Sequence, residues 1–306
     1  MYKLVAIDLD GTLLNSYGEV SYKTRQSIKE LIKNGIEVVL TSGRAQNFVK
    51  NLASDLGSNN FLISSNGAII YDIKNNKNLY TNTIQIDKAL KIIKFCEDNS
   101  IFCSISLDNT IIASSLNFNA LFYYSENSQK SEDKKTNISI TENIYEYLSK
   151  LNKEIFKICV CDNDEIIFSS IIKKLKMIGD INVLDVGHLS KKIIKYGTQY
   201  IPISYFYTEI TNKNVNKWNS IEYLISNLGI NKEQVVAIGD NVNDELMLKN
   251  AGLGIIMGNA APYIKKFADV EVSDNDSDGV AEAIYKYILK WAILQQYYRY
   301  IIFKLH

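Results

Sequence analysis

Histidine is nearly absent, with two in 306 residues, and the four cysteines, Cys96, Cys103, Cys159 and Cys161, contain no CxxC pair. Zinc sites and disulfide frameworks draw on such residues at close or paired spacing, so neither is supported. The cysteines read as buried thiols in a reducing compartment. Net charge is missing too, since Lys plus Arg and Asp plus Glu number 34 each. Without a basic excess there is no bulk field to neutralise a phosphate backbone, and no nucleic-acid partner is expected. Long apolar runs are also lacking. The opening MYKLVAIDLD reaches an acid too early for a signal peptide. Tyr287 to Phe303 is apolar and aromatic, but Lys290, Gln295, Gln296 and Arg299 break it well short of the ~18 continuous residues of a membrane span. A cytoplasmic chain with no membrane partner is the expectation.

What is there is an ordinary globular composition, 46% hydrophobic and 22% charged, over a length beyond one typical domain. Short apolar runs followed by helical patterns recur at both ends, the signature of a parallel sheet covered on both faces. Leu4 to Ile7, Ile36 to Leu40 and Phe61 to Ile63 read as strands; Ser21 to Asn34 and Ala45 to Leu56 read as helices closed by glycine. The pattern resumes with a helix from Lys217 to Leu228, a strand from Val235 to Ile238, a short helix from Asp244 to Asn250, and strands at Gly254 to Met257 and Val270 to Val272. Val280, Ile284, Tyr287, Ile288 and Trp291 share one face of a helix of period 3.6. Between the halves, Phe102 to Leu107 and Ile111 to Ser114 read as a hairpin joined at Asp108-Asn109, and the polar stretch Ser125 to Asn137 as a surface loop. The expected fold is α/β: a doubly wound, Rossmann-like parallel-sheet core at 1–83 and 211–306, the latter with a C-terminal helical extension, interrupted by an inserted α+β domain at 84–210.

The first strand runs into Asp8-Leu9-Asp10-Gly11-Thr12, and ligands in open α/β sheets bind beyond the carboxyl ends of strands. A spacing of two puts Asp8 and Asp10 on the same side. Taken alone, this is equally a solvated strand end with a turn. The strand from Val235 ends in Gly239-Asp240-Asn241-Val242-Asn243-Asp244, so two strand ends bring at least three carboxylates together. Such a cluster repels itself unless a hard cation sits within it, and all-oxygen ligation suits Mg²⁺. At a third strand end, the Ser42 hydroxyl and the N–H groups that follow, those of Gly43 and Arg44, suit phosphate oxygens. Lys217 offers a fixed positive charge at a helix start.

The ordered set DLDGTLL, TSGR, a helix-opening Lys and GDNVND resembles the haloacid dehalogenase superfamily, and within it the Cof-type phosphatases with a large C2-type cap inserted in the core. The resemblance extends to Ser65-Asn66-Gly67-Ala68, Ala251-Gly252-Leu253-Gly254, Met257-Gly258-Asn259-Ala260 and Asp278-Gly279-Val280. It implies hydrolysis of a small phosphorylated metabolite, a sugar phosphate or a phosphorylated cofactor, through an aspartyl-phosphate on Asp8. Asp10 would be the general acid and base. Mg²⁺ would be held by Asp8, the Asp10 backbone carbonyl, Asp240 and Asp244. Gly11, Thr12, Ser42, Gly43, Lys217 and Asn243 would bind and neutralise the phosphoryl group, with Arg44 and Asn66 directed at the leaving group. A phosphosugar mutase of the same fold and a noncatalytic phosphometabolite-binding regulator are the alternatives.

Two features depart from the family pattern. Trp218 follows Lys217 where glycine is common, and the indole either packs on the core or narrows the entrance. The segment from Gly187 to Ile203 is longer than the usual return from cap to core and reads as a surface excursion, with a substrate-contacting element the alternative and His188 a loop residue. Lys213 and Lys191 to Lys195 are alternative cations, less well placed than Lys217. The aromatic tail from Trp291 to Phe303 is expected to cover a core surface, with self-association the sharper alternative.

Overall fold

Five consecutive buried residues form the first strand, β1 (Leu4–Asp8), which must therefore be covered on both faces. α1 (Tyr22–Lys33) follows, with the Ser21 hydroxyl accepting the Thr24 N–H as its N-cap. Next come β2 (Glu37–Thr41), α2 (Gln46–Leu56), β3 (Phe61–Ser64), β4 (Ile69–Asp72) and β5 (Lys77–Thr81). The insert supplies α3 (Ile86–Asp98), β6 (Phe102–Ser106), β7 (Thr110–Ala113), α4 (Phe118–Asn127), β8 (Asn137–Ile140), α5 (Ile144–Ser149), β9 (Lys157–Asp162), α6 (Glu165–Leu175), β10 (Ile181–Asp185), β11 (Ser190–Tyr196) and β12 (Gln199–Asn212). The chain returns through α7 (Lys217–Leu228), β13 (Val235–Gly239), α8 (Glu245–Asn250), β14 (Leu253–Ile256), α9 (Pro262–Lys265), β15 (Val270–Glu271) and α10 (Gly279–Ala283). This is a computed structural model, and it describes residues 1–289 apart from 108, 129, 151–152 and 186–188. The Asp108 turn residue, Gly187, His188 and the tail from Trp291 lie outside the described residues.

The chain forms two compact units. The first holds Met1–Gly43, Val49–Leu79 and the chain from Asn216 onward; the second holds Arg44–Phe48 and Tyr80–Val215. In the first, an eight-stranded sheet runs in the order β15-β14-β13-β1-β2-β3-β4-β5. β1 pairs in parallel with β2 on one side and β13 on the other. Successive strands thus build outward from β1 in one direction, and the chain then crosses back to β13, which makes the boundary between β1 and β13 the topological switch point. β4 pairs antiparallel to β3, so one edge departs from the all-parallel pattern.

The second unit is a mixed sheet in the order β10-β12-β9-β6-β7-β8, with β11 paired to β12. One face buries Ile105, Ile158 and Val160 against Ile92 and Ile93 of α3, Leu148 of α5 and Ile171 of α6. Phe102, Cys159, Cys161 and Tyr205 cluster with Phe118 of α4. All four cysteines are buried free thiols. No helix among the described residues is long and apolar enough to cross a membrane.

Two local expectations need correction. Ser125 to Asn127 belong to α4, and the buried Ser125 hydroxyl accepts the Lys195 N–H at 2.7 Å. Asn127 likewise exchanges two hydrogen bonds with the Thr136 backbone. These polar side chains serve backbone groups, a demand that composition alone does not distinguish from solvation. The described part of 187–203 is a surface excursion in the form of a paired hairpin, exposed from 197 to 202, with a two-residue turn at Gly197-Thr198 and Gly197 at a φ of +60°. Its alternation is obscured by adjacent isoleucines and three lysines. Beyond α10 the winding widens to a π-helix over Ile284–Leu289, so Leu289 joins Ile284 and Ile288 among the buried residues. Trp218 is buried at 6% exposure, which settles it as a core residue.

Candidate active site

The parallel register pairs Ile7 with Ile238, so Asp8 and Gly239 leave the sheet side by side. Asp8 is 4% exposed. α7 opens on Lys217 after an Asn216 cap, and the Lys217 side chain is fully buried. Its Nζ donates to Asp8 Oδ1, and to Asp244 Oδ1 at 2.6 Å. The other Asp244 oxygen accepts the backbone N–H groups of Asp240 and Asn241, each at 3.0 Å. Asp244 therefore ties the lysine to the end of β13. One carboxylate oxygen from each of Asp8, Asp240 and Asp244 lies within 4.8 Å of the others. The Asp10 side chain is not in that group.

Three carboxylates, those of Asp8 and Asp244 buried and that of Asp240 half-buried, against one ammonium leave two negative charges uncompensated. Burial, followed by repulsion from Asp244, pushes the Asp8 carboxyl up to about 7; Lys217 pulls the other way, and Asp10 adds to the rise. Asp240 is held well above the usual carboxylate range by burial, Asp8 and Asp244, against the Thr12 hydroxyl and Lys217. Burial alone would lower Lys217, but Asp244 and Asp8 outweigh it and its pKa is raised. The lysine stays charged while the carboxylates resist ionising. An all-oxygen donor set short of two positive charges fits a small divalent cation such as Mg²⁺.

The turn after β1 is pressed against this cluster. Gly11 takes a φ of +83°, and a Cβ there would run into the Asp240 carboxylate, so only glycine fits. The Thr12 hydroxyl donates to Asp240 Oδ1 at 2.8 Å. The turn is also held from the other side: Asn259 Nδ2 donates to the Gly11 carbonyl at 2.9 Å. Among the family-like segments, Asn259 carries no role in the sequence reading, because neither its residue type nor its spacing connects position 259 with position 11.

The buried Ser42 accepts the Asn66 N–H at its carbonyl, at 2.9 Å, while its own N–H donates to the Ile63 carbonyl. Asn66 is left-handed at a φ of +58°, and its Oδ1 accepts from Asn243 Nδ2 at 3.2 Å. Ser42, Asn66 and Asn243 are thus joined in one network, with Gly43 half-buried beside it. Arg44 is engaged within the second unit: Nη1 donates to both Glu126 oxygens at 2.7 and 2.9 Å, and the guanidinium lies 4.1 Å from the Phe48 ring centroid. Glu126 was not legible as its partner, being 82 positions away in a polar stretch. Lys213 pairs with Asp180, and Lys191 to Lys195 lie on β11, so the described contacts of these lysines are with the second unit.

Comparison with known proteins gives a concordant result. The family described as haloacid dehalogenase-like hydrolase matches residues 5–284. A putative phosphatase of Buchnera aphidicola is 31% identical, covering 95% of this chain and all of its own. The 5-amino-6-(5-phospho-D-ribitylamino)uracil phosphatase of Bacillus subtilis is 30% identical over 94% of this chain and 96% of its own. The crystal structure of a haloacid dehalogenase-like hydrolase from Bacteroides thetaiotaomicron superposes with a TM-score of 0.73 at 27% identity, covering 93% of this chain and 98% of that one.

Proposed function

The chain belongs to the haloacid dehalogenase-like hydrolases, and on that footing we propose that it is a Mg²⁺-dependent phosphatase of small phosphate monoesters working through a phosphorylated Asp8. The observation that carries this reading is the buried Lys217 bridging Asp8 and Asp244 beside Asp240, a carboxylate cluster with charge left for a divalent cation. The Asp8 carboxylate attacks phosphorus and displaces the leaving oxygen, which takes its proton from Asp10. Asp10 then removes a proton from water, which attacks the same phosphorus and returns Asp8. Asp8, Asp240, Asp244 and the Asp10 backbone carbonyl are the groups that would hold the cation, which when bound neutralises charge on the transferring group. Lys217 supplies a second, fixed countercharge. Ser42, Gly43 and Asn243, with Gly11 and Thr12, position the phosphoryl oxygens. Arg44 and Asn66 are assigned to the leaving group.

The named activity of the Bacillus relative, on a ribityl monophosphate, supports a sugar-phosphate-like or cofactor-like substrate here. A panel of phosphorylated metabolites is expected to release inorganic phosphate with Mg²⁺ and to stop releasing it in EDTA. Phosphate retained on an isomerised product would replace hydrolysis with the mutase reading. No release from any compound, with Mg²⁺ shown to be bound, would replace it with the regulator.

The raised carboxyls also give cation binding a pH dependence. Ligation needs ionised oxygens, and Asp8 pushed up to about 7 is largely protonated below that pH. Mg²⁺ affinity should therefore rise with pH up to about 7, by up to about tenfold per unit for one linked proton, with proton release on binding. Calorimetric titrations in buffers of different ionisation enthalpy measure this directly. Affinity unchanged between about pH 5.5 and 8 would show that Asp8 is already ionised without the metal.

A further inference from the structure

We propose that Asn259 and Asn275 are positioning residues for Asp10, a role that rests on the phosphatase reading above. Asp10 lies two residues past the end of the strand, in the turn that follows it. That turn's own backbone bonds include two long ones, Thr12 N–H to Leu9 O at 3.3 Å and Leu13 N–H to Asp8 O at 3.2 Å, beside Leu14 N–H to Leu9 O at 2.8 Å. Two side-chain amides brace it from outside. Asn259 Nδ2 donates to Gly11 O and Asn275 Nδ2 to Leu14 O, each at 2.9 Å. The pair is mutually fixed, because the Asn275 N–H donates to Asn259 Oδ1 at 3.1 Å.

The brace has a specific anchor. Asn259 stands just past β14, where the Met257 N–H donates to Gly239 O at 3.0 Å, so it is rooted at the strand end that presents Asp240. On its inner side the same turn meets Asp240 through the Thr12 hydroxyl. The Gly11 peptide is therefore gripped from both sides, and the residue immediately before it is Asp10. A loosened grip leaves the Asp8, Asp240 and Asp244 carboxylates where their own elements hold them and lets the Asp10 side chain drift.

Loss of proton donation has a signature that general damage lacks: it hurts a poor leaving group far more than a good one. Phenyl phosphate and 4-nitrophenyl phosphate differ little in shape, but 4-nitrophenolate leaves readily without a proton. Asp10→Asn sets the reference, with kcat/KM lost chiefly on phenyl phosphate. Asn259→Ala and Asn275→Ala are each expected to lose about tenfold on phenyl phosphate and under about twofold on 4-nitrophenyl phosphate, a misplacement effect, with melting behaviour near wild type for Asn259→Ala because Asn259 is exposed. Asn259→Asp, which keeps the acceptor for Asn275 and removes the donor to Gly11, should behave like the alanine variant. Equal losses on both esters, or none, would overturn the positioning role. If Asp10→Asn itself fails to discriminate, the general-acid assignment falls first and the brace falls with it.

Discussion

Replacing Asp8 with asparagine is expected to lower kcat by on the order of 10⁴-fold or more while leaving the protein folded, because the change keeps the shape and removes the nucleophile. The amide oxygen introduced by Asp8→Asn can still accept a hydrogen bond from Lys217, so the bridge to Asp244 survives. What is lost is a charged oxygen able to form the bond to phosphorus. The stability change separates this from damage to the fold. Burial and Asp244 work against the ionised Asp8, so the metal-free native state binds a proton more tightly there than the unfolded chain does. Through this group, native stability falls as pH rises from the ordinary carboxylate range to about 7. Removing the carboxyl removes that penalty. At about pH 8 without metal, Asp8→Asn should therefore melt no lower than wild type. Phosphate release and a melting curve on the same preparation make the test, and near-normal turnover would sink the assignment of Asp8.

Why so much of this was legible from sequence is itself physical. A strand buried on both faces shows as an unbroken apolar run, and Leu4 to Ile7 and Val235 to Ile238 are such runs, each ending in acids. Their parallel pairing required no inference about individual contacts, since the βα alternation admits few topologies. Lys217 was harder. Its importance depends on being buried between Asp8 and Asp244, residues 209 and 27 positions away, and only its place at a helix start and the family resemblance singled it out.

The inserted unit was less legible for a related reason. In β11 the period-two signal is diluted by Lys191, Lys192 and Lys195, and Ser125 and Asn127 look like loop formers although they satisfy backbone groups. Asn259 and Glu126 mark the outer limit of sequence reading. Each acts through one long-range hydrogen-bonded partner, Gly11 and Arg44, and no local pattern encodes such a pairing. At Arg44 the consequence is concrete: a residue assigned to the leaving group is found with its guanidinium already on Glu126 and Phe48.

Lys217→Ala should have the largest effect on stability, because it removes the ammonium from a buried cluster and leaves the carboxylates facing one another. Breaking a buried pair from one side typically costs about 3–5 kcal/mol, most of it from the charge left behind. Its pH dependence distinguishes this from a cavity effect. Burial, opposed successfully by Asp244 and Asp8, leaves Lys217 charged throughout the neutral range, so its contribution is present there and is lost only as pH climbs above the ordinary lysine value. The carboxylates respond in the opposite range. With Asp8 near 7 and Asp240 also raised, acid neutralises the groups that the missing lysine would have faced. The penalty should be largest at about pH 8 and shrink toward about pH 5.5, whereas a lost packing volume would be felt equally at both. Mg²⁺ should recover part of the loss at the higher pH, since a cation in the cluster supplies the countercharge that the side chain no longer does. Turnover should stay depressed by about 10²–10³-fold even then, because the phosphoryl group still lacks its fixed ammonium. Urea unfolding of both proteins at the two pH values, with EDTA and with Mg²⁺, gives the four stability differences, and phosphate release gives the turnover. A difference below about 1 kcal/mol that ignores both pH and metal would mean that Asp8 and Asp244 do not need the lysine, and would remove the electrostatic basis for its catalytic role.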